Sequence, residues 1–300
     1  MTAKILIHVG YPKSGSSSLQ QNVLSRHDGI NYLAGRFFAA RLGSDSPEAA
    51  RAHAFYHEII HNPDRDMATL RHIWETVFVP RLDPDRLNVV SDERFVMNYR
   101  PYADIAADLH SLIGPARILM VVRDQAGLLR SQYDMNPYYQ NDPTRAYMRF
   151  DAWLARMLAD APDTMAATLR YGDVRDCYAG LFGADGVIVA RFERLFHEPA
   201  AQGQLAADLG LDPEEMVRLF GAAPVGSYRN SGYRKLTRRL LGRRPASDYL
   251  SGRQIAVLRG VLRRLFPGRK TEISEADRAA IARHFAGHLP QDMASGPGAS

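Results

Sequence analysis

Apolar residues in this chain fall in short unbroken runs, separated by longer stretches with helical spacing. KILIHVG (4–10) is such a run, ends in glycine, and is expected as a buried strand. SSSLQQNVLSRH (16–27) follows, with Leu19, Val23 and Leu24 on one helical face. Residues 46–79 read as mostly helical, broken at Asn62-Pro63. LNVVSDE (87–93), ARILMVVRD (116–124) and GVIVARFE (186–193) are three further strand-like runs, each read as buried. Between and beyond them, 101–113, 125–134, 147–159 and 173–182 carry helical patterns, and 202–220 carries one or two helices. TLRY (168–171) reads as the opening of an element. Four strands alternating with helices predict an α/β fold with a mainly parallel sheet flanked by helices. In such sheets ligands bind beyond the carboxyl ends of the strands. Attention therefore goes to the glycine loop after residue 10, to Ser91-Asp92-Glu93, to Arg123-Asp124 and to Glu193-Arg194.

Composition narrows the picture only a little. With 300 residues, 46% hydrophobic and 24% charged, the chain can bury a sizeable core, and disordered or fibrous classes are excluded. A single domain over 1–290 with a frayed tail at 291–300 is expected. The net charge of +5 suits an anionic partner such as a nucleotide, nucleic acid, acidic glycan or lipid surface, or simply solubility. One cysteine, Cys177, allows no disulfide within the chain and favours a reducing compartment. No leader-like segment opens the chain and no run is long enough to span a bilayer, so a cytoplasmic protein without integral membrane segments is expected. No internal repeat is visible.

The chemistry is concentrated in HVGYPKSGSSSLQ (8–20). Glycines let backbone amides approach a phosphate, and the helix start behind them offers unpaired N–H groups and a positive dipole end. Lys13 places a cation beside them. The lysine precedes the second glycine, however, so the G-x-x-x-x-G-K-[ST] pattern is not met. The plainer alternative is a serine-rich helix cap with a solvated lysine. In VVRDQAGLLRSQYD (121–134), Arg123 closes a strand and Ser131 follows eight residues later. An arginine there can grip a phosphate through charge-assisted hydrogen bonds, or it can pair with Asp124 at the surface.

Together these segments resemble the sulfotransferases that use 3′-phosphoadenosine 5′-phosphosulfate (PAPS). Pro12 to Leu19 satisfies their P-K-[ST]-G-[ST]-[ST]-x-L loop position by position. Arg123 and Ser131 match their 3′-phosphate element. LRYGDVRDCYAGLFGADGVIVARFERLFHEP (169–199) is similar to their tyrosine, helix, Phe-Gly, strand and Glu-x-Leu pattern. The resemblance spans about residues 4–235, lies nearest the bacterial and carbohydrate branch, and implies a P-loop-like three-layer sandwich. It implies that Ser14, Gly15, Ser16, Ser17 and Ser18 hold the 5′-phosphate of the donor. Lys13 would stabilise the departing nucleotide, adenosine 3′,5′-bisphosphate. Arg123 and Ser131 would bind the 3′-phosphate, and Tyr171 would lie near the adenine. The arginine-rich stretch after Tyr228, with Arg229 and Asn230, is expected to cover the donor, although it has no residue-by-residue match.

Sulfuryl transfer to a hydroxyl needs a base within hydrogen-bond reach of the acceptor proton. One branch of the family has a histidine at the end of the corresponding strand, and the carbohydrate branch often has a glutamate. Here Glu93 stands in that place, with no histidine between His72 and His110. Glu93 is the expected base and Asp92 the fallback; alternatively Ser91-Asp92-Glu93 merely caps the next helix. The acceptor is expected to be a carbohydrate or glycoconjugate, held by the aromatic stretch 133–139 and the helices of 32–80, although the tyrosines equally suit a flat phenolic or lipid acceptor. No nucleic-acid-reading motif and no need for a metal are seen, and the oligomeric state is not legible.

Three rival readings stand beside this one. His57-Glu58-Ile59-Ile60-His61 is a literal H-E-x-x-H, the zinc-hydrolase pattern, followed at once by the helix-breaking Asn62-Pro63. A nucleotide kinase would want the lysine after the glycine and a strand-end aspartate for magnesium, for which Asp92 is the candidate. A non-enzymatic polyanion binder would use the arginines of 229–244.

Overall fold

The computed structural model describes residues 4–97, 99–135, 148–159, 165–222, 257, 261 and 271–288. The stretches 136–143 and 229–244, with Arg229, Asn230, Tyr138 and Tyr139, and the tail 291–300 lie outside the described residues. The chain divides into two compact units, 1–123 with 167–225 and 287–300, and 124–166 with 226–286.

The first unit is built on a five-stranded, all-parallel sheet. Its strands are β1 (Ile5–Gly10), β2 (Ile30–Tyr32), β3 (Leu87–Asp92), β4 (Arg117–Val122) and β5 (Val187–Arg191), in the order β2-β3-β1-β4-β5. The central strands are apolar on both faces because helices flank the sheet; Leu6, Ile7, Val89, Val90 and Ile118 to Val122 are fully buried. Two expectations are corrected. β2 is a fifth strand that the pattern did not show, since three residues are too few to display a period. β5 is half-buried along its whole length, because among the described residues it pairs with β4 alone.

The helices follow their sequence signals. α1 (Ser16–Ser18) continues without a break into a wider turn over Leu19–Leu24, where Ser25 N donates to the Gln20 carbonyl at 3.1 Å. Leu19, Val23 and Leu24 are buried as their spacing predicts. After α2 (Gly35–Leu42), α3 (Pro47–His61) starts at a Ser46 cap that accepts from Ala49 N at 3.1 Å, with Pro47 in its first turn. It ends before Asn62-Pro63 and buries Ala52, Phe55, Ile59 and Ile60. Then come α4 (Met67–Ile73) and α5 (Tyr102–Ile113). Unit one resumes with α8 (Tyr171–Phe182), α9 (Phe192–Leu195), α10 (Pro199–Leu209) and α11 (Pro213–Ala222), the last two separated at the left-handed Gly210.

In the second unit, α6 (Gln125–Met135) and α7 (Phe150–Met157) close over Tyr133, Phe150 and Trp153. The helix α12 (Glu275–Phe285) packs on α6, where Thr271 Oγ1 donates to the buried Asp134 carboxylate at 2.5 Å. Among the described residues, no helix is long and apolar enough to cross a membrane.

Candidate active site

Parallel pairing puts the ends of four strands in one row. Val9 lies opposite Asp92, Gly10 opposite Val121, and Val122 opposite Arg191. The chain leaves β1 towards β2 and β3, and leaves β4 towards β5, so the topological switch falls between β1 and β4. That is where open α/β sheets bind ligands. The loop after β1 and Arg123 after β4 meet there.

The loop has an unusual backbone. Lys13 has φ 74° and Gly15 has φ 77°, both left-handed. For lysine this conformation is strained. At Gly15 it is free, and only glycine fits: a Cβ would sit 2.5 Å from the Phe196 ring and 2.9 Å from that of Phe192. Ser14 N donates to the Tyr11 carbonyl at 3.1 Å, and Ser16 Oγ donates to the same oxygen at 3.0 Å, so both tighten the loop from within. Ser14 Oγ is buried without a hydrogen-bond partner among the described residues. Ser17 is exposed and Ser18 half-buried. No acidic side chain occupies the first turn of α1, leaving its positive end unopposed. A left-handed loop on a glycine that admits no Cβ, an orphaned hydroxyl and an uncompensated helix start fit a phosphate-bearing group.

Arg123 is built into this loop. Its Nη1 donates to the Lys13 carbonyl at 2.6 Å, its guanidinium lies over the Phe192 ring with Cζ 4.5 Å from the centroid, and Nε is 4.0 Å from Glu193 Oε1. Tyr171 is fully buried; its hydroxyl donates to the Arg123 carbonyl at 2.8 Å and its ring meets Tyr11 edge-on at 4.9 Å. Tyr171 thus holds the backbone of Arg123. Ser131 is buried on α6 in the second unit.

At the end of β3 the three polar residues divide their tasks. Ser91 Oγ lies 2.7 Å from His8 Nδ1 and accepts from Gln20 Nε2 at 3.0 Å, joining β3 to β1 and to the wider turn that follows α1. Asp92 does the capping: Oδ1 accepts from Arg94 N at 2.9 Å, and the carboxylate holds the Arg94 guanidinium at 2.9 and 2.7 Å. Glu93 is left as the uncommitted carboxylate, half-buried and without a hydrogen-bond partner among the described residues. Burial and then the Asp92 charge push its pKa above the ordinary carboxylate value, against the pull of Lys13 and Arg94. Lys13 is thus one of the charges that act on Glu93.

His8 was not foreseen. It is fully buried in β1, and burial lowers its pKa to about 4 despite Asp92. The one signal for it is a histidine inside an otherwise apolar strand run. His57 and His61 of the H-E-x-x-H segment lie with ring centroids 5.0 Å apart on α3. No group of three histidine, cysteine, aspartate or glutamate side chains placed to hold a metal ion exists among the described residues.

No family model and no curated relative matches the sequence. Solved structures do. A sulfotransferase from Alicyclobacillus acidocaldarius superposes with TM-score 0.51 over 96% of this chain and 93% of its own, at 15% identity. The chain has the sulfotransferase fold. Looser likenesses are a mouse sulfotransferase, SULT7A1, complexed with PAP (TM-score 0.41, 15% identity, 95% and 90% covered) and the sulfotransferase domain of the Synechococcus PCC 7002 olefin synthase (0.38, 16%, 96% of each). Within the sulfotransferase fold of this chain, the loop after β1 and the ends of β3 and β4 are the sequence-predicted elements that the sheet brings side by side.

Proposed function

We propose that this protein is an enzyme that transfers a sulfuryl group from PAPS to an acceptor hydroxyl, on a carbohydrate or glycoconjugate. The observation that carries the reading is the direct bond between the two donor-binding motifs, from Arg123 to the Lys13 carbonyl. Two segments over a hundred residues apart in sequence, each matching a PAPS-binding element, meet at the switch point of the sheet. A kinase reading has no such support, since Asp92 is bound to Arg94 rather than available to a magnesium ion.

The donor would supply an activated sulfuryl group with a nucleotide phosphate as leaving group. The backbone amides from Gly15 to Ser18 and the Ser17 hydroxyl would hold its 5′-phosphate, while Ser14 N and Ser16 Oγ close the loop beneath them on the Tyr11 carbonyl. Lys13 would balance negative charge growing on the leaving oxygen. Arg123 would take the 3′-phosphate. Glu93, kept from committing to a neighbour, would accept the acceptor's proton. Its raised pKa brings it nearer the operating pH, where a base works best.

Titration calorimetry with adenosine 3′,5′-bisphosphate, 5′-AMP and ATP tests the reading. Binding that needs the 3′-phosphate is expected. A preference for ATP with magnesium, or no nucleotide binding, overturns it.

A further inference from the structure

The H-E-x-x-H segment is not absorbed by the donor site, yet the structure gives it a direction. α3 places His53, His57 and His61 on successive turns of one face. Their rings form a row: His53 to His57 6.2 Å and stacked, His57 to His61 5.0 Å. The row does not stop with the helix. Tyr99, from the segment after β3, meets His61 edge-on at 4.5 Å. Arg94 Nη1 then lies 3.5 Å from His61 Nε2, and Arg94 is fixed on Asp92, the neighbour of Glu93. A line of four rings from two elements therefore runs along the surface, and Arg94 ties its His61 member to Asp92, the chain neighbour of the candidate base.

The row faces solvent: the His57 side chain is 54% exposed and Tyr99 46%. Tyr99 is one of few large apolar side chains left exposed among the described residues. An ordinary polar helix face would carry mixed charged side chains; here every turn carries a ring. Arg94 donates towards His61 Nε2, which keeps that imidazole neutral, and burial and the Arg94 charge lower its pKa accordingly. Flat rings with polar edges suit a ligand that has apolar faces and hydroxyl rims. A linear track suits a chain of such units rather than one small ring.

We propose that His53, His57, His61 and Tyr99 form an acceptor track for an extended, neutral oligosaccharide whose reacting hydroxyl is delivered to Glu93. This rests on the reading of Glu93 as the base of a sulfotransferase. The sugar units lie along the ring row, and Arg94 fixes the end of the track by holding both Asp92 and His61.

The test is binding of the full chain to arrayed neutral and acidic glycans of one to six sugar units, with adenosine 3′,5′-bisphosphate present. Retention that rises with chain length on neutral glycans is expected. Tyr99→Ala and His57→Ala should each weaken it about tenfold, as loss of one stacked ring does, whereas Tyr99→Phe keeps it. Retention of no neutral glycan, or retention unchanged in both alanine variants, overturns the track. So does retention of acidic glycans alone that salt removes. Calorimetry with adenosine 3′,5′-bisphosphate on the same samples separates the failures: a normal donor isotherm with no glycan retained sinks the track only, and a lost isotherm sinks the sulfotransferase reading beneath it.

Discussion

Arg123 donates from Nη1 to the carbonyl of Lys13 at 2.6 Å, fastening the end of β4 to the loop after β1. One guanidinium thus shapes the loop and presents charge to the same site. Removing it should cost more than one phosphate contact. Arg123→Ala is expected to weaken adenosine 3′,5′-bisphosphate binding by about a hundredfold, since charge-assisted hydrogen bonds contribute roughly 1.5–3 kcal/mol. Arg123→Lys should restore little, because an ammonium cannot reach the Lys13 carbonyl and a phosphate with a planar fork. Equal binding by the arginine and lysine forms would show that charge alone matters.

Lys13 occupies a left-handed conformation that glycine adopts without strain. Lys13→Gly should therefore fold with stability within about 1 kcal/mol of the parent, since relief of backbone strain offsets the added freedom of the unfolded chain. Turnover of PAPS should nevertheless vanish. Paired thermal unfolding and sulfate-transfer assays read the two effects; substantial activity in this variant would remove Lys13 from the mechanism.

Gly15 faces the opposite constraint. Gly15→Ala adds a methyl 2.5 Å from Phe196 at a φ of 77°, so both sterics and backbone oppose it. A loss of about 2–4 kcal/mol in denaturant unfolding is expected, with donor binding lost in parallel. A variant of parental stability would mean that the loop is slack.

Glu93→Gln should lower kcat by about 10²–10⁴ while leaving donor affinity intact. On the proposed reading Glu93 must be ionised to act as the base, and burial and Asp92 raise its pKa, so the acid limb of the rate profile should lie above the ordinary carboxylate range. Asp92→Asn removes the neighbouring charge and frees Arg94, both of which move that limb to lower pH. The stability sign follows from the same shift. A raised native pKa favours the protonated native state, so its contribution is full below the unfolded pKa and lost as pH rises through the native one. Glu93→Gln should then be more stable than the parent at neutral pH and equal to it in acid.

A buried charge network ties α3 to α5. Asp108 on α5 accepts from Arg65 Nε at 2.6 Å and from Arg100 Nη1 at 3.0 Å, and the same Arg100 nitrogen donates to the Ile59 carbonyl of α3 at 2.6 Å. Arg100 and Asp108 are almost fully buried. Asp108→Ala should cost about 3–5 kcal/mol in chemical unfolding, because it strands a buried guanidinium.

Much of this was legible in the chain. The four longer strands announce themselves as apolar runs because both faces of a parallel sheet are buried. The break after His61 follows from Asn62-Pro63, and the tight loop after β1 from glycine, lysine and serine spacing, since these are local constraints of backbone and side-chain chemistry. β2 was not legible, because three residues hold no period and its pairing to β3 is purely tertiary. Nor could spacing reveal that Asp92 is bound to Arg94 and so leaves Glu93 as the uncommitted carboxylate. The Arg123–Lys13 bond, the burial of Tyr171 beneath it and the ring row from His53 to Tyr99 likewise join residues distant in sequence. Local pattern fixes what each segment can be; which side chains meet is decided only when parallel pairing aligns the strand ends.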